Sequence, residues 1–416
     1  MNGDDTGAGT RARPRSRPGP APRRSRRRLL LAGCSAAAIL TTAALLLGPR
    51  LLGDAREQAG LSDFMQQPRD AAATATPGSV VKSERLEGAP LDAVAWRIMY
   101  RTSDLRGESV TATATLVAPA GAAPAGGRTT LAWAHPTTGT ARECAPSLGF
   151  DPFTGIEGLR ELLDRGYAVV ATDYVGMGTA GPNSYLVGAT AGRSVLDSVR
   201  AATGIPEAAA SEDVVLWGHS QGGQAVLFAA ELAEDYAPEL RIRAVAAAAP
   251  AADLTALLDA HLDDVSGATI GSYAFQAYAG VYEDRGADLA AVLTPEAQRI
   301  VPRVNELCLL ANLDEIHSIA KPVVGRFFSA RPSEVEPWAT LLAENSAGGV
   351  AFEAPLFVAQ GSHDRLVLPD DTRAFVERQR GLGMDVVYHE VEVADHATIA
   401  YLALPALGVW LDSLAI

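Results

Sequence analysis

The feature that most constrains the fold is a Gly-His-Ser-Gln-Gly sequence at residues 218–222. Residues 214–217 (Val-Val-Leu-Trp) predict a buried strand before it, and residues 221–233 predict a helix after it. A strand, a tight turn and a helix in this order hold a serine on a strained turn with its hydroxyl exposed, and the glycines let the helix pack closely. The pattern indicates Ser220 as a nucleophile; a glycine-rich turn with an ordinary serine is the alternative.

Strands and helices alternate along most of the chain. Apolar runs predict further strands at residues 111–117, 130–134, 167–172, 244–249, 355–359 and 385–391, and helical spacing predicts helices at residues 156–165, 191–202, 371–380 and 398–411. This order predicts an α/β fold with a mostly parallel sheet covered by helices on both faces. Residues 251–349 interrupt it with a mostly helical pattern and are predicted to form a cap, or lid, inserted into a core of residues 81–250 and 350–416.

A serine hydroxyl needs a base oriented by a carboxylate, and both must come from elsewhere in the chain. His396 stands in the loop between the last predicted strand and the last predicted helix, and Asp364 stands in the loop after residues 356–359. The order Ser220, Asp364, His396 is that of the α/β-hydrolase fold. Other loop carboxylates remain alternatives to Asp364, although Asp395 is predicted to orient its own loop.

An oxyanion formed at the serine needs backbone N–H donors. Gln221, directly after the serine, is predicted to supply one N–H, and the loop at residues 135–139 (His-Pro-Thr-Thr-Gly) the other, with Thr137 favoured over Thr138. A simple turn is the alternative interpretation of this loop. No His or Cys cluster has metal-ligand spacing, so neither a metal nor a cofactor is predicted.

The amino terminus differs in charge from the rest of the chain. Residues 1–28 hold nine Arg against two Asp, a local charge of +7, so the total of −14 leaves −21 for the remainder, which disfavours nucleic-acid binding. The uncharged residues 29–48 that follow predict an export signal or a membrane anchor, and residues 49–80 a linker. Residues 25–30 (Ser-Arg-Arg-Arg-Leu-Leu) resemble a twin-arginine export motif. If the segment stays uncleaved, it tethers the protein to the membrane.

Two of the three cysteines lie beyond this segment, at positions 144 and 308. An even number of cysteines in a chain predicted to reach an oxidising compartment favours a Cys144–Cys308 disulfide. Two buried thiols are the alternative, because the sequence does not show the geometry that a disulfide requires.

Several of these motifs together resemble the secretory lipase family of α/β-hydrolases. The resemblance rests on residues 135–139, 144–147 (Cys-Ala-Pro-Ser), 173–178 (Asp-Tyr-Val-Gly-Met-Gly) followed by Tyr185-Leu186, 218–222, the Asp364 loop and 395–397 (Asp-His-Ala). It implies that Ser220, Asp364 and His396 form the triad, that the helical insertion is a lid, and that the protein hydrolyses lipid or other carboxylic esters.

The sequence therefore predicts an exported serine esterase or lipase that acts on an ester through an acyl-enzyme. Six aromatic residues of the predicted cap would suit an acyl chain, although aromatics at helical spacing are more often core: Phe275, Tyr278, Tyr282, Phe327, Phe328 and Trp338. A serine peptidase or acyltransferase can use the same triad. An envelope-tethered binding module without turnover is the alternative outside enzymes.

Overall fold

Nine strands form one sheet in the residues that this computed structural model describes, 64–66 and 76–416. They are β1 (Val80–Leu86), β2 (Ala93–Ser103), β3 (Ser109–Pro119), β4 (Arg128–Ala134), β5 (Ala168–Thr172), β6 (Ala210–His219), β7 (Arg241–Ala248), β8 (Leu356–Gly361) and β9 (Val386–Val391). The spatial order is β1-β2-β3-β5-β4-β6-β7-β8-β9. The neighbouring pairs β1–β2, β2–β3 and β3–β5 are antiparallel. All the pairs from β5–β4 onwards in this order are parallel.

Helices cover both faces of the sheet. The α-helices of the described part are α1 (Leu159–Asp164), α2 (Gly188–Thr203), α3 (Gln221–Tyr236), α4 (Leu254–Ala260), α5 (Val265–Val281), α6 (Pro295–Asn305), α7 (Leu313–Ala320), α8 (Trp338–Glu344), α9 (Pro369–Gly381) and α10 (Ile399–Ser413). Along β4, Leu131 and Trp133 pack with α1 and α10, while Ala132 and Ala134 pack with α2 and α3. Successive side chains of a strand point to opposite faces, so β4 contributes to two cores. The predicted α/β-hydrolase fold is confirmed.

The antiparallel edge was not predicted from the sequence. The sequence patterns predict no strand before residue 111, whereas β1 and β2 pair from Val80 onwards. Two arginines interrupt the apolar pattern of β2, yet both are buried. Arg97 donates to the Ser147 carbonyl over 2.7 Å and forms an ion pair with Glu84. Because the partners of Arg97 come from other parts of the chain, the sequence of β2 alone does not identify it as a buried strand.

A short piece of the predicted linker packs on this edge. The Phe64 side chain is buried, and the Arg97 guanidinium lies 5.8 Å from the centre of its ring. Lys82 of β1 donates a hydrogen bond of 3.2 Å to the Phe64 carbonyl. The linker boundary predicted at residue 80 therefore does not coincide with the start of ordered packing in the described part.

Residues 249–355 stand between β7 and β8, and we call them the insertion. They contain α4 to α8, and the predicted cap at residues 251–349 falls within these bounds. The insertion buries its apolar side chains in the same cluster as α1 and α10, on one face of the sheet. A disulfide joins Cys308 of the insertion to Cys144 in the loop after β4, with a Cα–Cα distance of 5.2 Å, as predicted.

No helix within residues 64–66 and 76–416 is long and apolar enough to cross a membrane. The segments predicted as an Arg-rich region (1–28) and as an export signal or anchor (29–48) lie outside the described residues.

Candidate active site

Ser220 lies at the junction of β6 and α3. Its backbone angles, φ 56° and ψ −116°, are rarely adopted by residues other than glycine. A Cβ atom at Gly222 would lie 1.8 Å from the Ala134 carbonyl oxygen, and one at Gly218 would lie 2.2 Å from the Gly222 carbonyl oxygen. Side chains at either position would therefore push α3 away from the sheet, which explains why the turn needs both glycines.

Ser220 contacts a histidine from a distant loop. The His396 Nε2 lies 2.9 Å from the Ser220 Oγ, and the His396 Nδ1 lies 2.7 Å from an Asp364 carboxylate oxygen. The Asp364 side chain is fully buried, and its other oxygen accepts the N–H groups of Leu366 at 2.8 Å and Val367 at 3.0 Å. Hydrogen bonds to the ionised form favour a carboxylate. The arrangement can therefore hold a neutral imidazole with its Nε2 ready to accept the serine proton.

Two N–H groups are available near the serine. Gln221 is the first residue of α3, and Thr137 lies in the loop after β4; in the described ranges neither backbone N–H has a hydrogen-bond partner inside the protein. The Thr137 hydroxyl is 2.7 Å from the Tyr185 hydroxyl, which fixes the loop. Thr138 instead accepts the Leu309 N–H through its carbonyl. Of the two threonines, Thr137 is the one that lines the cavity around the serine.

An apolar cavity of about 210 Å³ opens next to Ser220. Aliphatic side chains form much of its wall: Leu257, Ile270, Leu309, Leu310, Leu366 and Val367. The six aromatic residues considered for this role do not line it. They contact each other in the core, as the 4.7 Å between the ring centres of Phe275 and Trp338 illustrates. A wider cavity of about 610 Å³, lined by Ser266, His363, Arg365 and Asp395, meets the first at His396.

Comparison with known proteins identifies the family. A sequence model of the family described as Secretory lipase matches residues 154–414. The chain belongs to the secretory lipase family. Membership implies export and carboxylic ester hydrolase activity on lipid esters. The chain is 26% identical to Lipase 6 of Candida albicans over 386 residues, covering 84% of this chain and 80% of that protein.

Two further known proteins are similar to this chain in sequence or in structure. A Mycobacterium tuberculosis protein named Probable inactive lipase MT1628 is 24% identical over 363 residues, covering 81% of this chain and 78% of that one. The closed state of Candida antarctica lipase A superposes with a TM-score of 0.70 at 20% identity, covering 85% of each chain. That likeness supports the α/β-hydrolase fold.

Two further carboxylates, Asp395 and Asp173, form hydrogen bonds away from His396. Asp395, next to His396, accepts the N–H of Thr398 at 3.1 Å and so stabilises its own loop. Asp173 is buried and accepts hydrogen bonds from Ser147 and Thr113. Burial raises the pKa of Asp173 to about 6. Asp173 therefore stabilises the packing of the residue 145–149 loop in this secretory lipase and does not contact His396.

A second carboxylate–imidazole pair lies at the site, and it was not predicted from the sequence. The His219 Nδ1 lies 3.0 Å from a Glu157 oxygen, and both residues line the cavity. The rings of His219 and His396 lie 5.1 Å apart, centre to centre. Neither His219 nor Glu157 is among the site residues predicted from the sequence. Glu157 lies in a loop 62 residues before His219 in sequence. No local pattern distinguishes this acidic residue from the other acidic residues of the chain.

Among the described residues, no group of three or more His, Cys, Asp or Glu side chains is placed to hold an ion.

Proposed function

We propose that this protein is a serine esterase that hydrolyses esters through a covalent acyl-enzyme. His396 accepts the Ser220 proton, the Ser220 oxygen attacks the ester carbonyl, and the alcohol leaves with a proton from His396. Water then attacks the acyl-enzyme by the same route. Asp364 holds the imidazole and stabilises its cation. The contact of His396 with both Ser220 and Asp364, at 2.9 and 2.7 Å, is the observation that carries this proposal.

The oxyanion of the tetrahedral intermediate would be bound by the N–H groups of Gln221 and Thr137. The position of Gln221 at the start of α3 supports this role, because the N-terminus of a helix carries partial positive charge and unpaired N–H groups. Donors fixed before the reaction cost no reorganisation when the negative charge develops.

The two cavities divide the substrate between them. We propose that the apolar cavity binds the acyl chain and that the wider, polar cavity receives the alcohol. A cavity of about 150 Å³ holds benzene, so a volume of about 210 Å³ suits an acyl chain of roughly eight carbons. Under this proposal medium-chain esters are better substrates than long-chain triacylglycerols.

The insertion would act as a cap over the acyl chain. Four aliphatic residues of the cavity wall belong to it, and they come from α4, α5 and the loop after Cys308: Leu257, Ile270, Leu309 and Leu310. We propose that the cap itself is residues 251–349 of the insertion and that the core comprises residues 81–250 and 350–416.

Export would use the amino-terminal segment. The Arg-rich residues 1–28 and the uncharged residues 29–48 support export by the twin-arginine route. After export the segment would either be cleaved off or stay as a membrane anchor. Replacement of Arg26 and Arg27 by lysine, followed by fractionation of cells, tests this route: continued export of the variant would contradict it.

A fluorophosphonate probe with an ester screen tests the catalytic proposal. We expect the probe to label the native protein at Ser220, and 4-nitrophenyl esters from C2 to C16 to give an optimum near C8. Triacylglycerol emulsions and peptide amides run beside them separate an esterase from a lipase and a peptidase. A folded protein that is not labelled would instead be a non-catalytic binding module, a result of interest because one relative is named a probable inactive lipase.

A further inference from the structure

Glu157 and His219 form a buried pair that the proposed mechanism does not use. The two oxygens of Glu157 lie 3.0 and 3.3 Å from the His219 Nδ1. The side chains are 9% and 3% exposed, respectively. A buried carboxyl group needs such a partner. Because Nδ1 is the nitrogen that contacts Glu157, Nε2 is the nitrogen of the ring that remains available to another group.

The main chain around Glu157 is held in place from the sheet. The indole N–H of Trp133 donates to the Gly155 carbonyl over 3.0 Å, and that of Trp217 donates to the Glu157 carbonyl over 3.2 Å. The two tryptophans lie on neighbouring strands, β4 and β6, and are fully buried. The position of the Glu157 carboxylate, and with it the orientation of the His219 ring, is therefore fixed by the core.

The His219 Nε2 is the group that this arrangement leaves without a partner. In the described part of the chain it is buried and has no hydrogen bond. His219 lines the apolar cavity beside Ser220, and its ring lies 5.1 Å from that of His396. A buried polar atom without a partner lowers stability, and a site where one persists needs a reason. A ligand that enters the cavity is such a reason.

We propose that His219 Nε2 binds a hydroxyl group on the acyl part of the substrate, close to the ester carbonyl. A hydroxyl can donate to Nε2 of the neutral ring and accept from Nε2–H of the charged ring, so it fits both protonation states. The substrate class is thus esters of short or medium-chain hydroxy acids. This inference rests on the proposed ester hydrolysis and deepens it, because it assigns a specificity-determining residue to the same cavity.

Ethyl butyrate and ethyl 3-hydroxybutyrate, compared by pH-stat titration, test the proposal. We expect the protein to hydrolyse one enantiomer of the hydroxy ester with a kcat/KM about five- to tenfold above that of ethyl butyrate, the worth of one net hydrogen bond. In a His219→Phe, Glu157→Gln double variant, which leaves no unpaired buried carboxylate, the kcat/KM for the hydroxy ester divided by that for ethyl butyrate should fall to about one or below. A His219→Gln variant keeps a polar group and should recover part of the preference.

Each outcome decides a separate point. His317→Phe, the same substitution on α7 away from both cavities, should leave the ratio unchanged. Equal hydrolysis of the two esters by the unmodified protein, or a double variant that keeps the preference, would overturn the assignment of His219 while leaving the triad intact. Hydrolysis of 4-nitrophenyl octanoate but of neither ethyl ester would overturn the assignment of His219 and leave ester hydrolysis standing. Failure on all three esters would overturn the ester hydrolysis proposed above, and this inference with it. If the double variant unfolds, as circular dichroism would show, His219→Gln decides: a ratio of the two kcat/KM values below that of the unmodified protein supports the assignment, and an equal ratio overturns it.

Discussion

The carboxyl edge of the sheet and the insertion contribute different kinds of residue to one site. At the sheet edge, the loops after β6, β8 and β9 supply Ser220, Asp364 and His396, which are polar and hydrogen-bonded to each other. The insertion supplies aliphatic wall residues and one cysteine of the disulfide. We therefore expect bond-breaking to depend on the sheet edge, and the preferred length of the acyl chain and much of the local stability to depend on the insertion.

Replacement of Ser220 by alanine should give the largest effect. We expect kcat for a medium-chain ester to fall by roughly a millionfold, because the nucleophile of a triad carries nearly all of its contribution. The thermal unfolding temperature should stay close to that of the unmodified protein, since the hydroxyl makes no contact besides His396 that supports the fold. An active Ser220→Ala enzyme would show that the nucleophile is not Ser220 and that bond-breaking does not depend on this part of the sheet edge.

An Asp364→Asn variant should follow, with kcat lower by about ten-thousandfold. Asparagine cannot stabilise the imidazolium, and its amide group favours the wrong tautomer of His396. The matched control is Asp395→Asn, next to His396 but bonded to Thr398, which should retain most of the activity. Equal losses in the two variants would make the loop structure, rather than the carboxylate at 364, the important factor.

The sequence identified much of the sheet edge for a physical reason. Loops at the carboxyl ends of parallel strands meet at one edge, so a serine, an acid and a histidine that each follow a buried strand can be placed together without coordinates. Glu157 has no such marker, since Trp133, Trp217 and His219 position it through contacts that are distant in sequence. Within the insertion, the local sequence pattern also does not distinguish residues that line the cavity from residues of the hydrophobic core.

The disulfide is the next largest expected effect and concerns the insertion. Replacing Cys144 and Cys308 together by serine should lower the free energy of unfolding by about 4 kcal/mol, since the bond closes a long loop in the unfolded chain; the cysteines are 164 residues apart. Guanidinium unfolding of the variant and of the unmodified oxidised protein measures the loss. If both unfold at the same denaturant concentration, the covalent link does not stabilise the insertion.

Glu231 of α3 joins the two regions through a pH-dependent contact. It accepts the Gly348 N–H of the insertion, and burial raises the pKa of its carboxyl to about 7. A raised acid pKa means that the folded form binds the proton more tightly, so stability falls as pH rises from about 4.5 to about 7. A Glu231→Gln variant should gain on the order of 1–3 kcal/mol over the unmodified protein at pH 8 and little at pH 4.5.

Glu234→Gln, on the exposed side of the same helix, is the control for that measurement and should show no such pH dependence. Thermal unfolding at the two pH values gives both comparisons. If Glu231→Gln raises stability equally at pH 4.5 and pH 8, the pKa of the Glu231 carboxyl is the same in the folded and unfolded chains, which would contradict the prediction.

The smallest expected effect separates the wall of the cavity from the core of the insertion. Leu257→Phe adds volume to the cavity wall, and we expect the ratio of kcat/KM for 4-nitrophenyl octanoate to that for the acetate to fall about tenfold, the worth of one or two methylene groups that no longer fit. Phe275→Leu removes volume from the aromatic cluster and should lower the unfolding temperature without changing that ratio. The opposite pattern would assign the acyl chain to the aromatic residues, because only a side chain that touches the substrate alters how chain lengths are ranked.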